Sequence, residues 1–294
     1  GGDNTIIGGS GKADIDIQTT GGGKNTIAGS DGTTSIKVKT VGTSFSTITA
    51  GAGDTTIEVD STNSSGGTSI KTGAGKTDIT ITTGKGGNSI DATASAGILA
   101  LAIKEAGGNE TNIIKLGAGP STVTLSGVPT VPSTGDQIIV AGTGVADVTI
   151  HGSFLNTVVR SSAAQATPAN FDLTIEESTT TTTLQGSETI LFLRFDKDAG
   201  VRIDDNSVVK ISTVASADGK SLDAGTIQIG AHATLEIRNE FNGTVNLGTG
   251  SSTLILDQPV GFGFNAKTAT SQNLEFQLGT LANGDKIVLK GLTQ

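Results

Sequence analysis

The chain contains no cysteine, methionine, tryptophan or tyrosine, and only nine phenylalanines and two histidines. The absence of cysteine excludes disulfide bonds and thiolate metal sites. The absence of tryptophan and tyrosine removes the aromatic platforms on which enzymes and binding modules usually stack sugars. The fold must therefore be stabilised by stacking of small and aliphatic side chains.

Positive charge and long apolar runs are also scarce. Lys and Arg number 19 against 28 Asp and Glu, which gives a formal net charge of −9. The basic residues form no stripe and have no aromatic platforms beside them, so nucleic acid is not an expected partner. No apolar run approaches the roughly 18 to 20 residues of a membrane helix, so membrane insertion is not expected. The chain opens inside a repeat, and we expect it to be a fragment or processed form of a longer polypeptide.

Glycine is abundant, with 43 of 294 residues, and much of it is periodic. Six glycines recur every 21 or 22 residues, and four residues after each one begins a pair of apolar residues spaced two apart. The glycines are Gly11, Gly32, Gly53, Gly75, Gly97 and Gly119, and the pairs are Ile15/Ile17, Ile36/Val38, Ile57/Val59, Ile79/Ile81, Leu101/Ile103 and Val123/Leu125. A constant period with apolar pairs of period 2 predicts stacked turns of similar shape, which is a β-solenoid.

A second apolar column runs between these pairs, at spacings of 20 to 23 residues. Its members are Ile6, Ile27, Ile48, Ile70, Ile90 and Ile113. Several of them follow a short stretch rich in Gly and Asn, such as residues 22–26. Because Gly and Asn tolerate positive φ, these stretches are predicted to form the corners between short strands.

Residues 94–106 test this interpretation, because they are rich in Ala, Leu, Lys and Glu and have helical propensity. Gly97, Leu101 and Ile103 nevertheless keep the spacing of the repeat. A helix would interrupt the stack and leave neighbouring turns with unpaired backbone edges, so we predict a strand. A helix inserted at the side of the solenoid is the alternative.

The repeat loosens after about residue 126, which predicts two regions. Residues 1–160 are predicted to form a regular parallel β-helix or β-roll with about 21 to 22 residues per turn and a loop insertion near 126–136, since two of the five prolines lie there. Residues 161–294 begin with another predicted loop, at 161–170, and are predicted to be a less regular all-β region. Alternating stretches such as Phe171/Leu173/Ile175 and Leu191/Leu193/Phe195 mark its strands. This region continues the solenoid or forms a β-sandwich, and we favour continuation.

Candidate catalytic residues are few. His151 and His232 lie in no metal-spaced cluster. The adjacent carboxylate pairs are Glu176/Glu177 and Asp204/Asp205. Within a strand, adjacent side chains point to opposite faces, so these pairs are not expected to converge. The sequence therefore predicts a protein that is not an enzyme.

Two sets of motifs resemble known families. The Gly-Gly-x-Asn-x-Ile corners at residues 1–6 and 22–27, and the shorter Gly-Gly-Asn-Ser-Ile corner at 86–90, resemble degenerate nonapeptides of the repeats-in-toxin family, whose parallel β-roll binds calcium in its turns. The C-terminal segments 233–237, 253–259 and 284–289 are similar to modules of large bacterial surface-layer and type I-secreted proteins.

The first resemblance implies calcium as a cofactor. Asn4, Asn25 and Asn88 stand where that family has its ligand Asp, and a hard divalent cation usually needs several oxygens that include carboxylates. We therefore expect the regular calcium array to be mostly lost and single sites to be weak. The candidate calcium ligands are Asp3, Asn4, Asn25, Asp31, Asp54 and Asp60.

Together these features predict a non-enzymatic structural module of a bacterial extracellular surface protein, as in a self-assembling surface layer or related envelope matrix. The alternative is the stalk or ligand-contacting region of a large type I-secreted adhesin, and the third hypothesis is a polysaccharide-acting β-helix enzyme. The expected partners are copies of the same chain, neighbouring modules of the same protein, and a cell-surface glycan. The expected location is the bacterial cell surface.

Overall fold

The computed structural model describes residues 2–105, 110–128, 133–161, 169–196, 198–215, 225–238, 244–248, 250–257 and 285–290. These ranges contain 25 β-strands and no helix. The strands are β1 (Asn4–Ile7), β2 (Ala13–Gly21), β3 (Lys24–Ala28), β4 (Thr34–Gly42), β5 (Phe45–Thr49), β6 (Thr55–Ser64), β7 (Thr68–Lys71), β8 (Thr77–Thr83), β9 (Asn88–Asp91), β10 (Leu99–Glu105), β11 (Asn112–Lys115), β12 (Ser121–Ser126), β13 (Ser133–Ala141), β14 (Ala146–His151), β15 (Phe154–Ser161), β16 (Ala169–Glu176), β17 (Thr181–Gln185), β18 (Ser187–Phe195), β19 (Gly200–Ile203), β20 (Val208–Ala215), β21 (Thr226–Ile229), β22 (Thr234–Ile237), β23 (Thr244–Leu247), β24 (Thr253–Asp257) and β25 (Lys286–Lys290).

The strands form two parallel sheets. The odd-numbered strands from β1 to β23 form a 12-stranded sheet, here called the odd sheet, and the even-numbered strands with β25 form a 13-stranded sheet, here called the even sheet. From β3 to β22, each strand pairs with the strands two places before and after it, so every turn of the chain up to β24 adds one strand to each sheet, and β25 pairs with β24. The predicted β-solenoid is confirmed. It continues through the described strands after residue 161, so the β-sandwich alternative is wrong.

The core lies between the two sheets. The predicted apolar pairs of the even sheet all point inward, and Ile36, Ile81 and Val123 have no exposed surface. From the odd sheet, Ile27 and Ile48 face them and are at most 1% exposed. Alternation of inward apolar and outward polar side chains along each strand thus closes a continuous core.

One member of the predicted odd-sheet column is wrong. Ile114, not Ile113, pairs with Ile90 and is fully buried, whereas Ile113 points outward beside Ser89. The connection from β10 to β11 (residues 106–111) is longer than the one from β8 to β9 (residues 84–87). The inward position of β11 therefore lies at Ile114, one residue after the predicted Ile113. A one-residue change in register moves a side chain to the opposite face of a sheet.

Three predicted segments can be compared with the strands. The stretch with helical propensity forms β10, as the repeat predicted. The loop near 126–136 is shorter than predicted, because residues 133–136 begin β13, while residues 129–132 lie outside the described residues. For the loop at 161–170, residues 162–168 also lie outside the described residues, and β16 begins at Ala169.

The alternation predicted in β18 is partly wrong. Leu191 is 38% exposed, while Leu193 and Phe195 are buried as predicted. The register between β16 and β18 shifts after Phe171, which pairs with Ile190, and this gives β18 one extra residue. Such a bulge moves the inward positions by one and leaves Leu191 outside.

The periodic glycines stack closely on one another at one corner. A Cβ atom at Gly97 would lie 2.5 Å from the carbonyl oxygen of Gly75 in the preceding turn, and one at Gly75 would lie 2.6 Å from that of Gly53. The described glycines with positive φ lie elsewhere, for example Gly21 and Gly42. Close approach of two backbones, rather than positive φ, therefore requires glycine in this column.

We expect Gly97→Ala to destabilise the protein by about 1 to 3 kcal/mol, because the added methyl group forces neighbouring turns apart. Gly11→Ala is the matched control, since Gly11 belongs to the same column but a Cβ atom added there would meet no atom within 4 Å. The control is expected to be neutral or slightly stabilising. Urea unfolding followed by circular dichroism measures both, and equal losses in the two variants would contradict the stacking explanation.

Candidate functional site

One interior corner of the solenoid is lined by polar side chains, where strands of the even sheet end and strands of the odd sheet begin. These side chains point inward, and each is at most 8% exposed. We call this column the polar seam. Its members are Asn25, Ser46, Thr68, Asn88, Asn112 and Gln137 from the odd sheet, and Thr19, Thr40, Ser61, Thr83 and Glu105 from the even sheet.

At its N-terminal end the polar seam is an amide and hydroxyl ladder. Asn4 Nδ2 donates to Asn25 Oδ1 at 2.9 Å, and Asn25 Nδ2 donates to Ser46 Oγ at 3.3 Å. Thr19 Oγ1 closes the corner by donating to Asn25 Oδ1 at 3.0 Å. A buried polar group that is hydrogen-bonded avoids the desolvation penalty of an unpaired one, so this ladder holds successive turns in register.

Further along, the polar seam contains carboxylates. Asn88 Nδ2 donates to Asn112 Oδ1, and Asn112 Nδ2 donates to Glu105 Oε1 and to Gln137 Oε1, each at 2.7 Å. Gln137 Nε2 donates to Glu105 Oε1 at 2.9 Å and to the backbone oxygen of Glu110 at 2.8 Å. These five residues form one connected group, which we call the carboxylate cluster.

The two carboxyl groups of the cluster are buried. Glu105 is 8% exposed and Glu110 is fully buried. Burial is the main cause that raises the pKa of Glu105 to about 7; hydrogen bonding from Ser133 lowers it, and the nearby charge of Glu110 raises it further. Burial also raises the pKa of Glu110 above its usual value. Both groups thus resist ionisation, as expected for carboxyls removed from water.

Glu188 is a third buried carboxyl, remote in sequence from the cluster. It lies on β18, opposite Val209 of β20, and is 1% exposed. Burial raises the pKa of Glu188 to about 8, although hydrogen bonding from Ser161 lowers this pKa in part. Neither carboxyl oxygen of Glu188 has a hydrogen-bond partner of normal geometry. A charged form here would lie beside an aliphatic column.

The predicted calcium ligands are distributed along the solenoid. Asp3 Oδ1 accepts a hydrogen bond from the backbone N of Lys24 at 2.8 Å, and Asp54 Oδ1 accepts one from that of Lys76 at 3.0 Å. Each of these carboxylates thus joins a corner to the corner of the next turn. Asp31 is exposed in the corner before β4.

Asp60 is tied to its own neighbours at the surface. Its Oδ1 accepts hydrogen bonds from Thr62 N at 3.2 Å and Thr62 Oγ1 at 2.8 Å, and its Oδ2 lies 3.2 Å from Lys39 Nζ. The hydrogen bonds from Thr62, followed by Lys39, lower the pKa of Asp60. Of the six predicted ligands, the hydrogen bonds join only Asn4 and Asn25, within the described ranges. Calcium binding at these residues stays a prediction.

The acids of the carboxylate cluster were not among the site residues predicted from the sequence. A signal for Glu105 was present, because it follows the buried Ile103 by two residues and therefore shares its inward face. Glu110 had no such signal, since it precedes β11 after a connection of irregular length. No group of three or more His, Asp or Glu residues suited to a metal is found within the described ranges.

The adjacent acids Glu176 and Glu177 converge, contrary to the prediction. His151 Nδ1 lies 3.4 Å from Glu176 Oε1, and His151 Nε2 lies 3.2 Å from Glu177 Oε2. Glu177 follows the end of β16 and has a φ of 52°, which turns it out of the strand alternation. Asp204 and Asp205 likewise lie at a corner, where Arg202 Nη2 approaches both at 3.6 and 3.0 Å. All of these contacts lie at corners of the solenoid and are exposed or half-exposed.

Comparison with protein-family models, with curated proteins and with solved structures finds no match to this chain. The part of the chain that the structure describes contains no helix able to cross a membrane.

Proposed function

We propose that the chain is a non-enzymatic structural module of a bacterial extracellular surface protein, as in a self-assembling surface layer or related envelope matrix. The observation that supports this most is the parallel stacking of all described strands into two sheets around one core. With about 4.8 Å per turn, the stack extends roughly 50 to 60 Å. Such a rod presents repeated surfaces at a fixed spacing, which suits assembly.

The outer face of the odd sheet supports the proposal. Short hydroxyl side chains stand in register on successive strands, and all are exposed or half-exposed. They are Thr5, Thr26, Thr47, Ser69 and Ser89. A row of hydroxyls in register can hydrogen-bond another protein surface or a glycan, the partners that we propose.

The first turn supports self-association or contact with a neighbouring module. Within the described residues, β1 pairs only with β3, and β2 pairs only with β4. Each therefore has one edge of backbone N–H and C=O groups without a described strand beside it. A strand from another copy or a neighbouring module can pair with such an edge.

A second candidate function is the stalk or ligand-contacting region of a large secreted adhesin. Ile98 is 53% exposed and Val145 is 61% exposed. They precede Leu99 and Ala146, which align through β12, so both lie at the same corner two turns apart. Exposed apolar side chains at one corner favour contact with a binding partner. The third hypothesis, a polysaccharide-acting enzyme, stays a prediction that cleavage assays on acidic polysaccharides test.

Electron microscopy of the purified chain at rising concentration, with millimolar calcium and again with a chelator, tests the proposed function. We expect ordered sheets or filaments, because open strand edges and repeated surfaces pair between copies. Thr5→Lys is expected to weaken assembly, since a charge on an edge strand opposes pairing. Thr47→Lys, in the same hydroxyl row but inside the sheet, is the control for the edge contribution.

Single rods at every concentration and in both conditions would contradict a self-assembling layer. If those rods also bind cells or immobilised glycans, the adhesin candidate is supported instead.

A further inference from the structure

Several buried oxygen atoms of the carboxylate cluster and of the neighbouring Thr83 have no hydrogen-bond partner of normal geometry. They are Glu105 Oε2, both carboxyl oxygens of Glu110, Asn88 Oδ1 and Thr83 Oγ1. Each of the four residues is at least nine-tenths buried. Unpaired buried oxygens are costly, because their hydration is lost without replacement. Their concentration at one place therefore points to a ligand that satisfies them.

The contacts place these residues side by side at one corner of the solenoid. Asn112 Nδ2 donates to Glu105, and its Oδ1 accepts from Asn88, so one amide links the two residues. Gln137 Nε2 donates both to the Glu105 carboxyl and to the backbone oxygen of Glu110. Thr83 is the direct neighbour of Glu105 across β8 and β10.

The chemistry of the donors restricts the ligand. Every unpaired atom is an oxygen, three of them belong to carboxyl groups, and no sulfur donor exists in the chain. Such a set suits a hard cation, and calcium accepts flexible sets of carboxylate and amide oxygens. We propose that Glu105 and Glu110, with the amide oxygen of Asn88, bind a divalent cation of the calcium class inside the solenoid.

A cation here would compensate for two carboxylates that otherwise repel each other in a desolvated corner. It would also join the end of β10 to Glu110, two residues before β11, across a connection that is longer than those of the earlier turns. Asn88 would connect the same ion to β9, one turn earlier. This site is distinct from the corner aspartates predicted from the sequence, because its oxygens lie within the core.

Isothermal titration calorimetry of the chelator-treated full chain with calcium chloride at pH 7.5 tests the proposal. We expect one site on the wild-type chain and a rise in melting temperature when calcium is added, since a ligand of the native state stabilises it. Glu110→Gln removes a carboxylate but keeps the shape of the side chain, and should weaken binding at least tenfold. Glu105→Gln is the second variant, and circular dichroism checks that both fold.

Glu188→Gln and Asp54→Asn are the controls. The first neutralises a buried carboxyl outside the cluster, and the second removes a predicted corner ligand, so both should bind calcium as the wild type does. The proposal is overturned if the wild type shows neither binding heat nor a calcium-dependent melting shift, which would indicate that protons neutralise the cluster. It is equally overturned if folded Glu110→Gln and Glu105→Gln bind normally, or if Asp54→Asn abolishes binding. Because binding is measured on single chains, failure of assembly would leave this result unaffected.

Discussion

Replacing Val123 with aspartate is expected to unfold the turns around β12. Val123 has no exposed surface and stands between Leu101 and Val148 in the inward column of the even sheet. The substitution removes apolar contacts and places a carboxylate in a dry interior without a partner. We expect a loss of at least about 4 kcal/mol, which is the range that buried charges and large core defects reach.

The matched control is Thr124→Asp, one residue further along the same strand. Thr124 points outward, and its neighbours Ala102 and Thr149 are uncharged, so an aspartate there is solvated and should change stability by less than about 0.5 kcal/mol. Urea unfolding followed by circular dichroism compares the two variants. Since each turn contacts only its neighbours, we expect Val123→Asp to lose β-signal at lower urea than the parent. Equal midpoints for the two variants would show that the inward column is misassigned.

Raising the pH from 5 to 9 is expected to destabilise the chain through Glu188. Burial raises the pKa of this carboxyl from the ordinary 4.5 to about 8 in the folded state. Between these values the folded chain keeps a proton that the unfolded chain has lost, so increasing pH favours unfolding. The contribution is fully present below about pH 4.5 and is lost as the pH rises through about 8. Its size is roughly 3 to 5 kcal/mol.

The measurement is the urea midpoint of wild type and Glu188→Gln at several pH values, with a chelator present throughout. The amide stays neutral at every pH, so the variant should lose less stability above pH 7 than the wild type. Glu105 and Glu110 also favour unfolding as the pH rises, but they do so equally in both proteins. The difference between the two curves of urea midpoint against pH therefore isolates Glu188. Glu58→Gln, which changes an exposed carboxyl, should keep the wild-type slope. If the urea midpoint of Glu188→Gln falls with pH as steeply as that of the wild type, Glu188 is ionised in the folded chain.

Much of the fold could be predicted from spacing. The pairs that begin at Ile15, Ile36 and Ile57 face inward because a strand alternates faces with period 2 and each turn repeats the length of the last. The prediction of a strand at β10 was right for the same reason, since pairing with β8 and β12 outweighs the helical propensity of its residues. Spacing is reliable where the connections between strands keep a constant length.

The errors occur where that length changes. Ile113 was placed inside because the repeat was extended across a longer connection, and Leu191 was placed inside because a bulge in β18 is invisible to alternation. The corner acid Glu177 was expected to point away from Glu176, yet a positive φ after the strand brings both to His151. Each error follows from a backbone change that residue types did not indicate.

Residue types and their spacing were enough to predict that this chain stacks short parallel strands, because the periodic glycines and aliphatic pairs suit few other folds. The roles of the corner residues became visible only from the contacts between turns. Asn25 was interpreted as a degraded turn ligand, but it lies in a buried ladder. Glu105 and Glu110 both accept hydrogen bonds from Gln137, which is 32 and 27 residues away from them in sequence. Side chains from different turns become neighbours only when the register between turns is fixed, and that register depends on the length of every connection between the strands.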